Sequence, residues 1–170
     1  MKVINLFGGP GAGKSTTAAG IFHLMKMEKM SVELVTEYAK EMTWEKRHNI
    51  LTDELYIVAK QHRRLRRLRG EVEYVVTDSP LLLCIYYRNN DYSETLDRLI
   101  LELWSLDENI NYFLDRVKPY VAVGRNQTED EARKIDAGTR ELLGRHRVPF
   151  ESVPGDNDAA RAIFERVRKR

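Results

Sequence analysis

Gly8-Gly9-Pro10-Gly11-Ala12-Gly13-Lys14-Ser15 is the stretch from which the rest of this chain can be read. It satisfies the spacing G-x-x-x-x-G-K-[ST] at every fixed position. Glycines let backbone N–H groups turn inward around an anion without Cβ clashes. Residues 2–7 (KVINLF), just before it, form a short apolar run of strand character. Residues 14–29, just after it, carry Ala18, Ile21, Phe22 and Met25 at helical spacing. A helix that begins there aims its positive N-terminal end at the same anion. Gly8, Gly9, Pro10, Gly11, Ala12, Gly13, Lys14, Ser15 and the adjoining Thr16 are therefore the expected contacts to the phosphates of a nucleotide such as ATP. In that arrangement Lys14 bridges the β- and γ-phosphates and the Ser15 hydroxyl ligates Mg²⁺. A glycine-rich turn with no ligand is the plain alternative. The match of both motif and context argues against it.

Further strand candidates are residues 32–36 (VELVT), 72–77 (VEYVVT), 118–123 (KPYVAV) and 149–153 (PFESV). Helix-length segments lie between them. Residues 53–69 place Leu55, Val58, His62, Leu65 and Leu68 on one stripe, with Thr52 as the expected cap. Residues 81–88 read as a short helix, and Ser93 caps another that carries Leu96, Leu99, Ile100, Leu103 and Leu106. Residues 108–117 read as helix, continuing that one or separate from it. Thr128 caps residues 129–146, and Asp156 or Asn157 caps a last helix to Arg170. Five short strands alternating with helices make an α/β domain of three layers with a mostly parallel sheet.

The 170 residues, 42% apolar and 32% charged, fit a single globular domain and not a disordered chain. With 28 basic and 26 acidic side chains the net charge is only +2, so a nucleic-acid contact has to come from a local patch. The single Cys84 leaves no internal disulfide and no cysteine cluster for zinc. No apolar run is long enough for a membrane span, and the N-terminus lacks a signal-peptide layout. The expected setting is cytoplasmic.

Two carboxylates stand where chemistry would need them. Val75-Val76-Thr77-Asp78-Ser79-Pro80 ends a buried apolar strand in an acid, which is costly without a partner. Beside a phosphate cradle that acid suits the Mg²⁺ shell. As a helix cap it would suit Pro80 at the first helical position. Glu37 follows the second strand, in Thr36-Glu37-Tyr38-Ala39. In an open parallel sheet the ligand crevice lies at the carboxyl ends of the strands. Glu37 is thus placed either to take a proton from an acceptor hydroxyl or to be a solvated acid in a helix's first turn.

The loop at 8–15, Thr36-Glu37-Tyr38-Ala39 with Glu41, Ala59-x-Gln61 and Thr77-Asp78-Ser79-Pro80 together resemble a family of small P-loop kinase-like proteins. That family includes nicotinamide riboside kinase domains and many phage proteins labelled as AAA-type ATPases. The resemblance spans about residues 1–155. It implies a three-layer P-loop NTPase/kinase fold with a five-stranded parallel sheet and a small lid at about 124–140. It implies an ATP- and Mg²⁺-dependent phosphotransferase in which Glu37 is the acceptor-site base. Gln61 then hydrogen-bonds the acceptor ring, Tyr38 stacks near it, and lid arginines, Arg125 first and Arg133 second, neutralise the transferred phosphoryl group.

Arg63, Arg64, Arg66, Arg67 and Arg69 crowd one helix end. The helix dipole accounts for a few cations there. Guanidinium forks also suit an anionic acceptor or a polynucleotide backbone. Three functions follow. One is a kinase for a free nucleoside, nucleotide or nicotinamide riboside. The second, favoured on the arginine run, is a kinase for a hydroxyl carried by DNA, as in the phage 5-hydroxymethyluracil DNA kinases that the sequence resembles; the setting would then be the host cytoplasm. The third is an ATPase or switch with no acceptor.

Overall fold

In β1 (Lys2–Phe7), Ile4 and Leu6 turn to one face and Val3 and Phe7 to the other, and all four are buried. A strand buried on both sides needs helices on both sides. The structure is a computed structural model that describes residues 1–121, 123 and 127–170. Strands β2 (Val32–Val35), β3 (Tyr74–Thr77), β4 (Glu108–Asp115) and β5 (Glu151–Pro154) join β1 in a fully parallel sheet of order β2-β3-β1-β4-β5. Helices α1 (Lys14–Met27) and α7 (Ala159–Arg168) cover one face, where Ile21, Met25 and Ile163 meet Ile4, Val76 and Tyr112. The opposite face carries α3 (Glu54–Arg66), α4 (Leu83–Tyr87), α5 (Glu94–Ser105) and α6 (Glu129–Arg145), whose Val58, Leu83, Ile100 and Leu143 gather around Phe7 and Phe113. Each fully buried aliphatic side chain contributes about 1.5–3 kcal/mol. α2 (Tyr38–Trp44) and a 3₁₀ turn at His48–Thr52 fill the connection from β2 to α3.

The sheet therefore has the five parallel strands expected, but one lies elsewhere in the sequence. Glu108–Asp115 is the strand, not a helix, and residues 118–121 form no strand. Asn109 and Asn111 mask the apolar alternation of β4. Paired in register with β1, they become a buried polar ladder: Asn5 Nδ2 donates to Asn109 Oδ1 (2.9 Å) and Asn111 Oδ1 (3.0 Å). Such amides are tolerated inside because their hydrogen bonds are made. Val117 and Val121 are exposed instead, at 55% and 58%. Two caps also differ. Asp53, not Thr52, caps α3 by accepting from Tyr56 N at 3.0 Å, and Thr52 Oγ1 turns back to Asn49 O. Asp158 occupies the cap position of α7, with Asp156 Oδ1 accepting from its backbone N–H. Ser93 and Thr128 cap α5 and α6 as expected, the latter through a reciprocal box with Glu131. Among the described residues no helix is long and apolar enough to cross a membrane.

Candidate active site

The loop from Gly8 to Ser15 leaves the centre of the sheet, with β3 on one side of β1 and β4 on the other. Gly13 caps α1 at φ 98°, a left-handed conformation that glycine adopts without strain. Gly9 is required for another reason. A Cβ there would sit 2.5 Å from Ala132 O, because α6 packs directly on the loop. Lys14 Nζ crosses the loop and donates to Gly8 O (2.6 Å) and Gly9 O (3.0 Å). Burial holds its pKa below the usual lysine value, against the opposing pull of Glu37, Asp78 and Asp136. A desolvated ammonium at the N-terminus of α1 suits phosphate oxygens. Pro10, Gly11, Gly13, Lys14, Ser15 and Thr16 border a cavity of about 410 Å³; Gly8, Gly9 and Ala12 do not line it.

Asp78 ends β3 at the same cavity. It is 3% exposed, and its Oδ1 has no hydrogen-bond partner. A helix cap would have spent that oxygen on a backbone N–H. A buried carboxylate oxygen without a partner, in the same cavity lining as the Ser15 hydroxyl, belongs to the donor set a hard divalent cation takes alongside phosphate oxygens. Both groups fit Mg²⁺.

Glu37 occupies the joint between β2 and α2, at the cap position of α2, where its side chain makes no capping bond. It lines the cavity close enough to Lys14 and Asp78 to feel both charges. Burial pushes its pKa up, Lys14 pulls it back, and Asp78 adds to the rise. What holds it is Gln61. The Gln61 amide, 1% exposed, accepts from Tyr38 N (3.0 Å) and donates to Thr36 O (3.4 Å) and Ser79 O (3.2 Å). One side chain on α3 thus clamps the backbone on both sides of Glu37 and just after Asp78. Gln61 is spent on this clamp and does not line the cavity, so the structure does not place it against an acceptor ring. Arg64 reinforces the joint through Thr36 O (3.0 Å) and Glu41 (2.6 Å). Tyr38 is likewise packed away, edge-on to Tyr56 at 5.9 Å and under the Arg64 guanidinium.

Away from the cradle the cavity runs between Ala39, Trp44, Leu51, Ile57 and Leu83. Glu54, in the first turn of α3, lines it there. It is 7% exposed and its Oε2 has no partner. Cys84 lines the same cavity: burial, then the charges of Glu37 and Glu54, push its thiol up to about 12. Glu54 had no signal in the sequence beyond being an acid at a helix start.

Arg116, missed because β4 was read as helix, follows the end of that strand. Its side chain is 5% exposed, and its Nε donates to Asp136 Oδ2 at 2.9 Å. Its Nη1 and Nη2 have no partner. They lie 3.1 Å and 3.3 Å from where Cβ atoms on Gly11 and Gly9 would be. Asp136 Oδ1 in turn accepts from Gly9 N (2.5 Å), so one carboxylate on α6 ties the guanidinium to the loop. Arg133, expected here, pairs with Glu129 one helical turn away at 2.7 Å and is 60% exposed, outside the cavity. Arg140 pairs with Asp115 and lies over the Phe113 ring at 3.8 Å. Gly124 and Arg125 of the expected lid lie outside the described residues.

A family model described as an AAA domain matches residues 3–161. The chain belongs to this AAA-domain family. No curated protein sequence is significantly similar to it. Among solved structures, the fold matches deoxyadenosine kinase from M. mycoides. With the products dCMP and a flexible dCDP bound, that kinase gives a TM-score of 0.65 at 18% identity, each chain covered in full. With dATP bound, it gives 0.60 at 20% identity, with 99% of this chain and 100% of the other covered. At such identities the likeness is one of fold: a five-stranded parallel P-loop kinase fold.

In this AAA-domain chain the arginine run divides. Arg64 is consumed at the Glu37 joint, and Arg69 forms a two-pronged pair with Asp107 (3.1 and 2.8 Å). Arg63, Arg66 and Arg67 are exposed, and no ion pair among the described residues involves them. None of the five lines the cavity.

Proposed function

We propose that the protein is an ATP- and Mg²⁺-dependent kinase that moves the γ-phosphoryl group to a hydroxyl of a free nucleoside-type acceptor. The observation that carries this reading is Glu37. It is a half-buried carboxylate that lines the cavity close enough to Lys14 and Asp78 to feel both charges, in the same cavity as the apolar Leu51, Ile57 and Leu83. A base so placed takes the acceptor hydroxyl's proton as the oxygen attacks. Lys14 and the loop N–H groups hold the phosphates, and Arg116, which does not itself line the cavity, is tied by Asp136 against Gly9 and Gly11 and brings its positive charge to the loop from behind. Ser15 and Asp78 would hold Mg²⁺, which supplies electrostatic stabilisation of the transferred group. The M. mycoides deoxyadenosine kinases, described with dCMP, dATP and dCTP, lend a nucleoside acceptor support.

A nucleoside suits the compartment better than a nucleotide, because no arginine among the described residues lines it to meet an acceptor phosphate. A hydroxyl within DNA, including 5-hydroxymethyluracil, is the second reading. Exposed Arg63, Arg66 and Arg67 favour it, and the loss of Arg64 and Arg69 to internal pairs weakens it. The test is transfer of labelled γ-phosphate from ATP to nucleosides, nicotinamide riboside, nucleoside monophosphates, plain DNA and DNA containing 5-hydroxymethyluracil. Label on nucleosides, little affected by salt, supports the first reading. Label on DNA that falls steeply with ionic strength supports the second. Phosphate released only to water removes both and leaves an ATPase.

A further inference from the structure

The Glu54 carboxylate is unexplained by its own helix. Asp53 already caps α3 with a 3.0 Å bond from Tyr56 N. An acid placed for the helix dipole alone would be served equally well in solvent. Glu54 instead is 93% withdrawn from solvent at 7% exposure, with Oε2 unpartnered, in the wall of the cavity. A buried carboxylate oxygen without a donor costs stability, and such a cost persists where a ligand supplies the donor. Among the described residues no cation pairs with it: the lysines that line the cavity are Lys14, in the cradle, and Lys40, which acts on Glu37. Burial raises its pKa, a hydrogen bond from its own backbone N–H lowers it, and the acids Asp91 and Asp53 add to the rise, while Oε2 stays without a partner.

The cavity thus carries Glu37, close enough to Lys14 and Asp78 of the cradle to feel their charges, and Glu54, whose charged neighbours are Asp91 and Asp53 instead. Leu51, Ile57 and Leu83 line the space with Trp44 and Ala39. We propose that Glu54 reads the acceptor, accepting a hydrogen bond from an N–H donor on the edge of a heterocyclic base whose sugar hydroxyl faces Glu37. The assignment of that hydroxyl rests on the kinase reading. The donor requirement rests on Glu54 alone. The substrate class is then a nucleoside whose base carries an amino or ring N–H group. A base of the same shape with no donor leaves the carboxylate buried and unpaired, and a site built to hydrogen-bond a group rejects the analogue that lacks it.

Calorimetric titration in the presence of a non-hydrolysable ATP analogue tests this, with deoxyadenosine and purine deoxyriboside, which lacks the amino group, as the pair. The wild type is expected to bind deoxyadenosine at least about tenfold tighter. In Glu54→Met, which keeps the bulk and removes the acceptor, that ratio falls towards one. Glu54→Gln, which keeps a carbonyl oxygen, retains part of it. Affinity for the ATP analogue stays unchanged in both variants, and the melting temperature does not drop. A wild type that binds neither compound, or does not distinguish them, overturns the proposal. So does a Glu54→Met variant that keeps the wild-type ratio, or that weakens both compounds equally. Selective binding without phosphoryl transfer would sink the kinase reading and leave the role of Glu54 standing.

Discussion

The two ends of the cavity are built differently. The cradle is mostly local: its eight residues are consecutive and Lys14 bonds to carbonyls five and six positions away, with Asp136 of α6 holding Gly9 N from outside. The acceptor end is assembled from distant pieces. Glu37 from the β2–α2 joint, Glu54 from α3 and Cys84 from α4 line one cavity, and Gln61 fastens the Glu37 joint by bonding across 18 to 25 positions to Thr36, Tyr38 and Ser79. A local motif tolerates change around it. An assembled site fails when its fasteners are removed.

The largest expected effect lies at the junction of the two ends. Glu37→Gln lowers phosphoryl transfer by about 10²–10⁴-fold while ATP binding persists. The pH dependence separates the base from a mere packing role. Burial raises the Glu37 pKa above its ordinary 4.5, so the acid limb of the wild-type transfer rate lies above that value and is absent from the variant. Stability moves the other way. The folded chain keeps this proton to a higher pH than the unfolded chain does, so stability is lost as pH rises above 4.5 through the folded pKa. Glu37→Gln removes that loss and melts higher than wild type at pH 8. A variant that transfers at the wild-type rate refutes the base assignment.

Arg116→Ala should cost about 10²-fold in kcat, because a guanidinium with two free edges against the loop serves charge that develops during transfer. Arg116→Lys recovers little, since one ammonium cannot both pair with Asp136 and fork onto phosphate. Steady-state kinetics check this, and a kcat unchanged in the alanine variant would place the charge stabilisation elsewhere. The expected loss separates it from Arg133→Ala, which removes only an exposed pair with Glu129.

This contrast explains what the sequence could show. Gly8–Ser15, Asp78 and Glu37 were legible because each stands at a strand end where backbone geometry alone decides its place. Glu54 and Arg116 were not. Arg116 depends on where β4 ends, and Asn109 and Asn111 hid that strand until their pairing with Asn5 explained them. Glu54 depends on α3 turning its first residue inward, which no local pattern marks. Gln61 was singled out, but the partners of a long polar side chain are set by tertiary contacts.

Gln61→Leu tests the fastener directly. It leaves Tyr38 N and Ser79 O without their side-chain partner, while Thr36 O keeps Arg64, and unpaired buried groups cost about 1–3 kcal/mol. The melting temperature should fall, and transfer should drop about tenfold or more as Glu37 loses its fixed position. Nucleotide affinity at the cradle should hold. A loss of stability with catalysis per folded molecule unchanged would show that the joint keeps Glu37 in place without it.

The smallest effect belongs to the surface. Replacing Arg63, Arg66 and Arg67 together by Ser removes three exposed cations that border neither end of the cavity. Stability should change by about 0.5 kcal/mol or less per position, and transfer to a free nucleoside by less than about twofold. The same variant sharpens the choice of acceptor. If the substrate is a hydroxyl within DNA, three lost phosphate contacts weaken binding alike across sequences and flatten its salt dependence by about 0.9 per contact for a duplex. Affinity for duplex DNA measured across a salt series reads that slope. An unchanged slope, with nucleoside transfer intact, returns the three arginines to the solvated face of α3 and leaves recognition of the acceptor to the interior carboxylates.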